Sequence, residues 1–190
     1  MPEKIKTKVV IDAHLEKSLG CVEKYLMQSN WEWEHWRDGR VIDKWVEKNI
    51  TTDEGVEHAI GVQFAGSTQV TDWFVLIYNT DTTPALTMTY ATPTFTESTH
   101  YSEATRPTWQ NGAVVSKNIT NSANKASFTM STAETIYGAA LVGGGSAAST
   151  KNDTAGGGVL YCVSDFSGGS KTVASSDILK VTVSITGQDV

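Results

Sequence analysis

Cysteine is almost missing from this chain: 190 residues hold two, Cys21 and Cys162. Thiols set so far apart exclude a disulfide framework and a cysteine-ligated metal cluster, and each is expected to lie buried as a small hydrophobe. Proline is scarce as well, at four residues, with Pro84, Pro93 and Pro107 in the middle of the chain. Turns and irregular segments are expected there. No stretch of 18 apolar residues occurs, which excludes a helix able to span a bilayer. The opening MPEKIKTKVVIDAH is charged and lacks a continuous apolar core, so no cleaved secretory signal is expected. A basic surplus is lacking too: 15 Lys and Arg face 21 Asp and Glu, for a net charge of −6. Without a long Lys/Arg block, that balance offers no electrostatic footprint for direct nucleic-acid binding.

The residue patterns of catalysis are missing in the same way. His14, His35, His58 and His100 are scattered and form no metal-ligand spacing. Gly143-Gly144-Gly145-Ser146 lacks the following Lys-Ser/Thr of a phosphate loop, and no G-x-S-x-G singles out a nucleophilic serine. Glu32 and Glu34 share one strand face, as a carboxylate pair for hydrolysis would, but neighbouring lysines explain them equally well as pairing residues. No catalytic, cofactor-binding or metal-binding residue is assigned, and the chain is expected not to be an enzyme.

What is present is an uneven distribution. The first 60 residues carry 21 of the 36 formal charges and four of the six tryptophans. KIKTKVV, ending at Val10, alternates polar and apolar residues and suits an extended arm that adds a strand to a neighbour's sheet. Ile11, Leu15, Leu19, Val22 and Leu26 then recur at spacings of four, four, three and four. That period predicts an amphipathic helix over 11–27, weakened at Gly20 and stopped by Ser29-Asn30. Next, Trp31, Trp33 and His35 alternate with Glu32, Glu34 and Trp36, and the turn Arg37-Asp38-Gly39-Arg40 leads to a second alternating run through Trp45. Asp-Gly between such runs predicts a hairpin, whose indoles should pack against the body, the helix or a partner.

Thr51 or Thr52 can cap a short helix with Asp53 and Glu54 in its first turn, and Gly61 is expected to end it. Gln69 to Tyr78 is predicted as a strand, and its nearly continuous apolar run predicts burial on both faces. In YSEATRP, Pro107 pushes Arg106 away from helical geometry and marks an irregular crossing loop. Further strands are predicted over 125–130, 135–142, 158–163 and 178–185, with the glycine-rich stretches between them as exposed, flexible loops. Many strands separated by turns, without long helices between them, predict a mainly β fold: an antiparallel β-sandwich with an N-terminal arm, one amphipathic helix and a Trp-rich hairpin. The expected division is residues 1-30, arm and helix for assembly, and residues 31-190, the sandwich body with the hairpin.

Five segments carry a resemblance: WVEKNITTDEGVEHAIGVQFAG, TDWFVLIYNTDTTP, YSEATRPTW, the Ala-Ser-Phe-Thr strand with TIYGAALV, and SSDILKVTVSIT. Together they resemble a family of small structural proteins from tailed bacteriophages and prophages, over roughly residues 31-186, with YSEATRPTW the most specific. The first 30 residues depart from that pattern. The resemblance implies a non-enzymatic virion protein, a capsid decoration or cement protein on the shell exterior, assembled in the host cytoplasm. It implies the major capsid protein and further copies of itself as partners, with no direct nucleic acid and no membrane. A tail, collar or fibre-associated protein is the near alternative. A carbohydrate- or receptor-binding module is another, suggested by the aromatics and the Gly/Ser loops. The expected interface residues are Lys8, Val10, Leu15, Leu19, Val22, Leu26, Trp31, Trp33, Trp36 and Trp45, with Arg106 bracing the irregular loop.

Overall fold

The computed structural model describes residues 25–189. Lys8, Val10, Leu15, Leu19 and Val22, with the expected arm and most of the expected first helix, lie outside the described residues. In chain order the elements are β1 (Tyr25–Arg37), β2 (Arg40–Lys48), β3 (Ile50–Thr51), α1 (Asp53–Phe64), β4 (Trp73–Tyr78), β5 (Asn118–Thr120), β6 (Ala126–Thr129), β7 (Glu134–Ile136), β8 (Gly138–Gly143), β9 (Val159–Asp165), β10 (Lys171–Val173) and β11 (Ile178–Asp189). Among the described residues the fold is mainly β, with antiparallel sheets packed face to face and one helix.

The first sheet runs β2-β1-β11, with β5 and β6 both pairing along the far side of β11. Asp38 and Gly39 turn β1 into β2 with φ of 49° and 72°. A two-residue turn that is left-handed at both positions matches the twist of the strands it joins, and Asp-Gly tolerates that conformation. β1 pairs with β11 from Tyr25↔Asp189 to Trp36↔Ile178. Residues 25–27, expected as the end of a helix, are therefore strand, and residues 25–30, expected to belong with the arm, run in the sheet of the body. The long β11 offers an unbroken ladder to this segment, and that tertiary pairing overrides the local helical period.

The second sheet has the order β3-β9-β8-β4. Its inner face meets the first sheet in one core, where Trp31, Trp33, Leu179, Val181 and Val183 pack with Val75, Ile77, Ala139, Leu141 and Cys162. Its outer face is covered too. Leu76, Tyr78, Ala140, Val142 and Leu160 lie under Met88, Tyr90, Phe95 and Ala148, which come from irregular connections. Coverage on both faces is what the unbroken run WFVLIY requires. The connection between β4 and β5 also closes the edge of β4: Ser98 N–H donates to Ile77 O at 2.8 Å, Val75 N–H to Pro107 O at 2.9 Å, and Trp109 N–H to Trp73 O at 2.7 Å. Those bonds satisfy an edge that would otherwise invite pairing with another chain. β7 and β10 form a separate two-stranded sheet.

Thr52 caps α1 by accepting from Gly55 N–H at 3.0 Å, and its own hydroxyl donates to Leu160 O. Gly55 is buried against β9 so closely that a Cβ there would stand 2.4 Å from Tyr161 O. Helix and strand can meet only because that position is glycine. Glu54 adds a second tie, its carboxylate accepting from Leu160 N–H at 2.6 Å and Tyr90 N–H at 2.8 Å. Gly61 does not end the helix. The helix continues to Phe64, Ala65 N–H closes on Gly61 O, and Gly66 follows with φ of 69°. An internal glycine costs about 1 kcal/mol relative to alanine and does not by itself stop a helix; a left-handed glycine just beyond the last turn does.

Candidate interaction surface

The way α1 is anchored leaves one side of it bare. Gly55, Thr52 and Glu54 hold its first turn to β9, while Val56, Ile60 and Phe64, spaced four apart, point outward and are 44%, 54% and 81% exposed. Leu86, 54% exposed, stands beside them. These side chains join Met27 of β1 and Ile50 of β3 in lining a groove of about 1020 Å³. Fully burying one such side chain is worth roughly 1.5–3 kcal/mol, so a stripe of this kind repays whatever covers it. Polar groups in the groove are few, among them Gln28, Asn49 and Gln63.

The tryptophans lie elsewhere. Trp31 and Trp33 are buried in the sandwich core, their rings stacked at 6.3 Å. Trp45 stacks on Trp33 at 5.6 Å with nearly parallel planes, and Phe166 meets both rings edge-on at 5.0 and 5.3 Å. The outer ring of this stack is covered by Lys171, whose Nζ sits 4.5 Å from the Trp45 ring centre and pairs with Asp43 at 2.8 Å. Trp36 lies on the outer face of the sheet, donating from Nε1 to Glu34 at 3.1 Å beneath the Lys180 ammonium at 4.3 Å. Trp31 and Trp33 thus spend their area inside the chain, leaving Trp36 and part of Trp45 near the surface. Leu26 lies on β1, two residues into the strand.

Several ionisable groups are committed to one another. Arg106, 2% exposed, uses all five of its N–H donors: two to Glu97 at 3.0 and 2.6 Å, two to the carbonyls of Ala148 and Asp153, and one to Tyr90 Oη at 3.2 Å. Tyr90 in turn donates to Asp153 at 2.6 Å, and burial with that carboxylate pushes its phenol up to about 12. Glu97 also accepts from Asn152 N–H at 2.7 Å. One guanidinium thus ties the connection after β4 to the glycine-rich connection between β8 and β9. Those glycines were expected in a flexible exposed loop, but Ala148 is buried and the backbone around it is held by Arg106. Arg106 sits inside this loop cluster and not on a free surface.

A second clamp joins the end of β1 to the turn that precedes β11. Asp177 accepts from Arg37 Nε and Nη2 at 2.8 and 2.7 Å, from Ala174 N–H at 2.7 Å, and from His35 Nε2 at 2.7 Å. The bonds from Arg37 hold its carboxyl far below the usual carboxylate range. An ionised carboxylate only accepts, so His35 Nε2 carries the proton in this pair. On the sheet's outer face Glu34 lies between Lys44 and Lys125, each at 3.0 Å, and is held down at about 2. Of the two carboxylates that share this face, Glu32 is exposed and Glu34 is an ion-pair centre. Cys162 is free, and burial pushes its thiol up to about 12. Among the described residues no group of three or more His, Cys, Asp and Glu side chains is placed to hold a metal ion. The sequence did not show the groove because Val56 and Ile60 were expected in a short capped helix ending at Gly61, which left Phe64 outside it. Their spacing of four was the available signal. No family model, curated protein or solved structure matches this chain.

Proposed function

We propose that this chain is a non-enzymatic structural protein of a virus particle, a decoration or cement subunit on the capsid exterior of a tailed phage, assembled in the host cytoplasm. Its partners are the major capsid protein and further copies of itself. Its working parts are the sandwich body with its Trp-rich hairpin and an N-terminal arm and amphipathic helix that serve attachment. The resemblance carried by YSEATRPTW and its neighbouring segments supplies the class. The observation that carries the reading here is the way the body divides its chemistry. Buried charges are locked to one another in the Arg106 and Asp177 clamps, while apolar surface is turned outward on α1, beside the strand that the N-terminal segment feeds. A load-bearing subunit needs a stiff body and surface left over for other protein. An enzyme needs the opposite, titratable groups held poised in a cleft. A glycan-binding module needs an open indole face, whereas Trp31 and Trp33 are closed in the core and lysines cover Trp45 and Trp36.

The deciding experiment counts this chain in purified particles by quantitative mass spectrometry. On the order of hundreds of copies, as a closed repeating shell demands, supports decoration. A handful of copies moves the protein to the tail, collar or fibres, and absence from particles defeats the reading. Attachment should be mapped by removing residues 1–24 only, because β1 and β2 are two of the first sheet's three long strands and a deletion through residue 48 would remove them.

A further inference from the structure

The bare side of α1 carries a knob and a hole on one surface. We propose that two copies of this chain pair through it about a two-fold axis near Ile60, each lodging its Phe64 in the groove of the other. Phe64 is the knob: at 81% it is the most exposed large apolar side chain among the described residues, and it ends α1 beside the groove. The groove of about 1020 Å³, walled by Met27, Ile50 and Leu86, is the hole. An occupant that fills only the groove leaves that phenyl ring in water. A second copy brings knob and hole together, and a two-fold axis buries each of them twice with a single patch. Val56, Ile60 and Phe64 repeat every four residues, so Ile60 at the centre meets its counterpart while Phe64 runs toward the Val56 of the other copy. Ridges of that spacing on both helices interdigitate at a crossing of about −50°.

Charge and area both fit a second copy. None of the side chains lining the groove is charged, so two molecules of net charge −6 can meet there without setting like charges against each other. Glu57, exposed on the same helix, is left for the polar rim. Val56, Ile60, Phe64 and Leu86 expose on the order of 400 Å² per copy, within the range at which an apolar patch marks a site of association. Two such patches fall about 200 Å² short of the roughly 1,000 Å² expected of a specific interface, a gap that the groove walls and the rim can close. The inference deepens one part of the proposed function, the partnership with further copies, by naming its surface. Pairing in solution does not depend on membership of a particle, so a failed copy count and a missing dimer are separate results.

The test is sedimentation equilibrium of the full-length protein from about 1 to 100 µM, where the pair should appear as a reversible dimer. Phe64→Asp should weaken it roughly thirtyfold or more, as loss of a central aromatic anchor does. Val114→Asp, at an exposed apolar position outside the groove, should leave it unchanged. Both side chains are exposed, so folding is expected to survive either change. Trapping supplies a second readout. With Cys21→Ser, which leaves the wholly buried Cys162 as the one native thiol, Ile60→Cys should give a disulfide-linked dimer under mild oxidation and Val114→Cys should not. A monomer throughout the concentration range overturns the proposal. So do a dimer that Phe64→Asp leaves intact, an open ladder of larger assemblies that Phe64→Asp dissolves, and equal trapping from the two introduced cysteines.

Discussion

The Trp33 stack and the Arg106 clamp are both buried, yet they hold the molecule by opposite means. Around Trp33 the backbone is regular strand, and its N–H and C=O groups are satisfied by the ladders of β2 and β11. Side chains there need only fill space, and the indole N–H groups of Trp33 and Trp45 are left without a partner among the described residues. Around Arg106 the backbone follows no ladder, and carbonyls such as those of Ala148 and Asp153 must find donors elsewhere. A guanidinium supplies five donors in one rigid plane, which makes it the economical solution for an irregular region. Regular backbone frees its side chains for shape, whereas irregular backbone claims them for hydrogen bonding.

The contrast is broken most severely at Arg106. Arg106→Leu leaves Glu97 buried and uncompensated and should cost about 3–5 kcal/mol in urea denaturation. Adding Glu97→Leu should recover part of that loss, because the stranded charge goes too; a fully additive double variant would show that the pair does not act as a unit. Acid is the next lever, and it separates the Asp177 clamp from the stack. The folded pKa of Asp177 lies below the unfolded carboxylate value of about 3.9. Its contribution is therefore complete above that value and is lost as the pH falls through the lower folded one. Stability measured from pH 7 to pH 2 should drop below about pH 4 in the unaltered chain. Asp177→Asn should be weaker at pH 7 and give a flatter profile. Trp33→Phe keeps an aromatic ring and removes an unpaired donor, so it should cost only about 1–1.5 kcal/mol by thermal unfolding. A loss as large as that of Arg106→Leu would mean that the stack demands one exact shape. The smallest effect is expected at Lys171→Ala, about 0.5–1 kcal/mol, since the cation over Trp45 and its bond to Asp43 both lie near solvent.

The same distinction explains what could be read in the sequence. The turn at Asp38-Gly39, the Thr52 cap and the two-faced burial of Trp73 to Tyr78 depend on residues next to one another, and the residues themselves announce them. Pro107 likewise announced that Arg106 lies in irregular chain. What the guanidinium grips could not be read, because Glu97, Ala148 and Asp153 are brought to it by the fold. Asp177 was missed for the same reason, since its partners His35 and Arg37 stand at the other end of the chain. The start of β1 was misread because the helical period through Leu26 is a local signal, while the partner that overrides it, β11, is the most distant strand. The compositional break near residue 60 marks no break in the body either: β1 and β2 lie in one sheet with β11.

That pairing of the first described strand with the last sets a timetable for the ribosome. Synthesis adds about 5–20 residues per second, so β1 emerges on the order of ten seconds before the strand that completes its sheet. Its hairpin with β2 can close early, but Trp31 and Trp33 must wait beside a missing neighbour until β11 arrives. Long-range closure of this kind folds slowly and leaves apolar surface open meanwhile. The nascent chain is therefore most prone to aggregate in the interval before residues 178–189 clear the exit tunnel, and slowing synthesis there would lengthen that exposure.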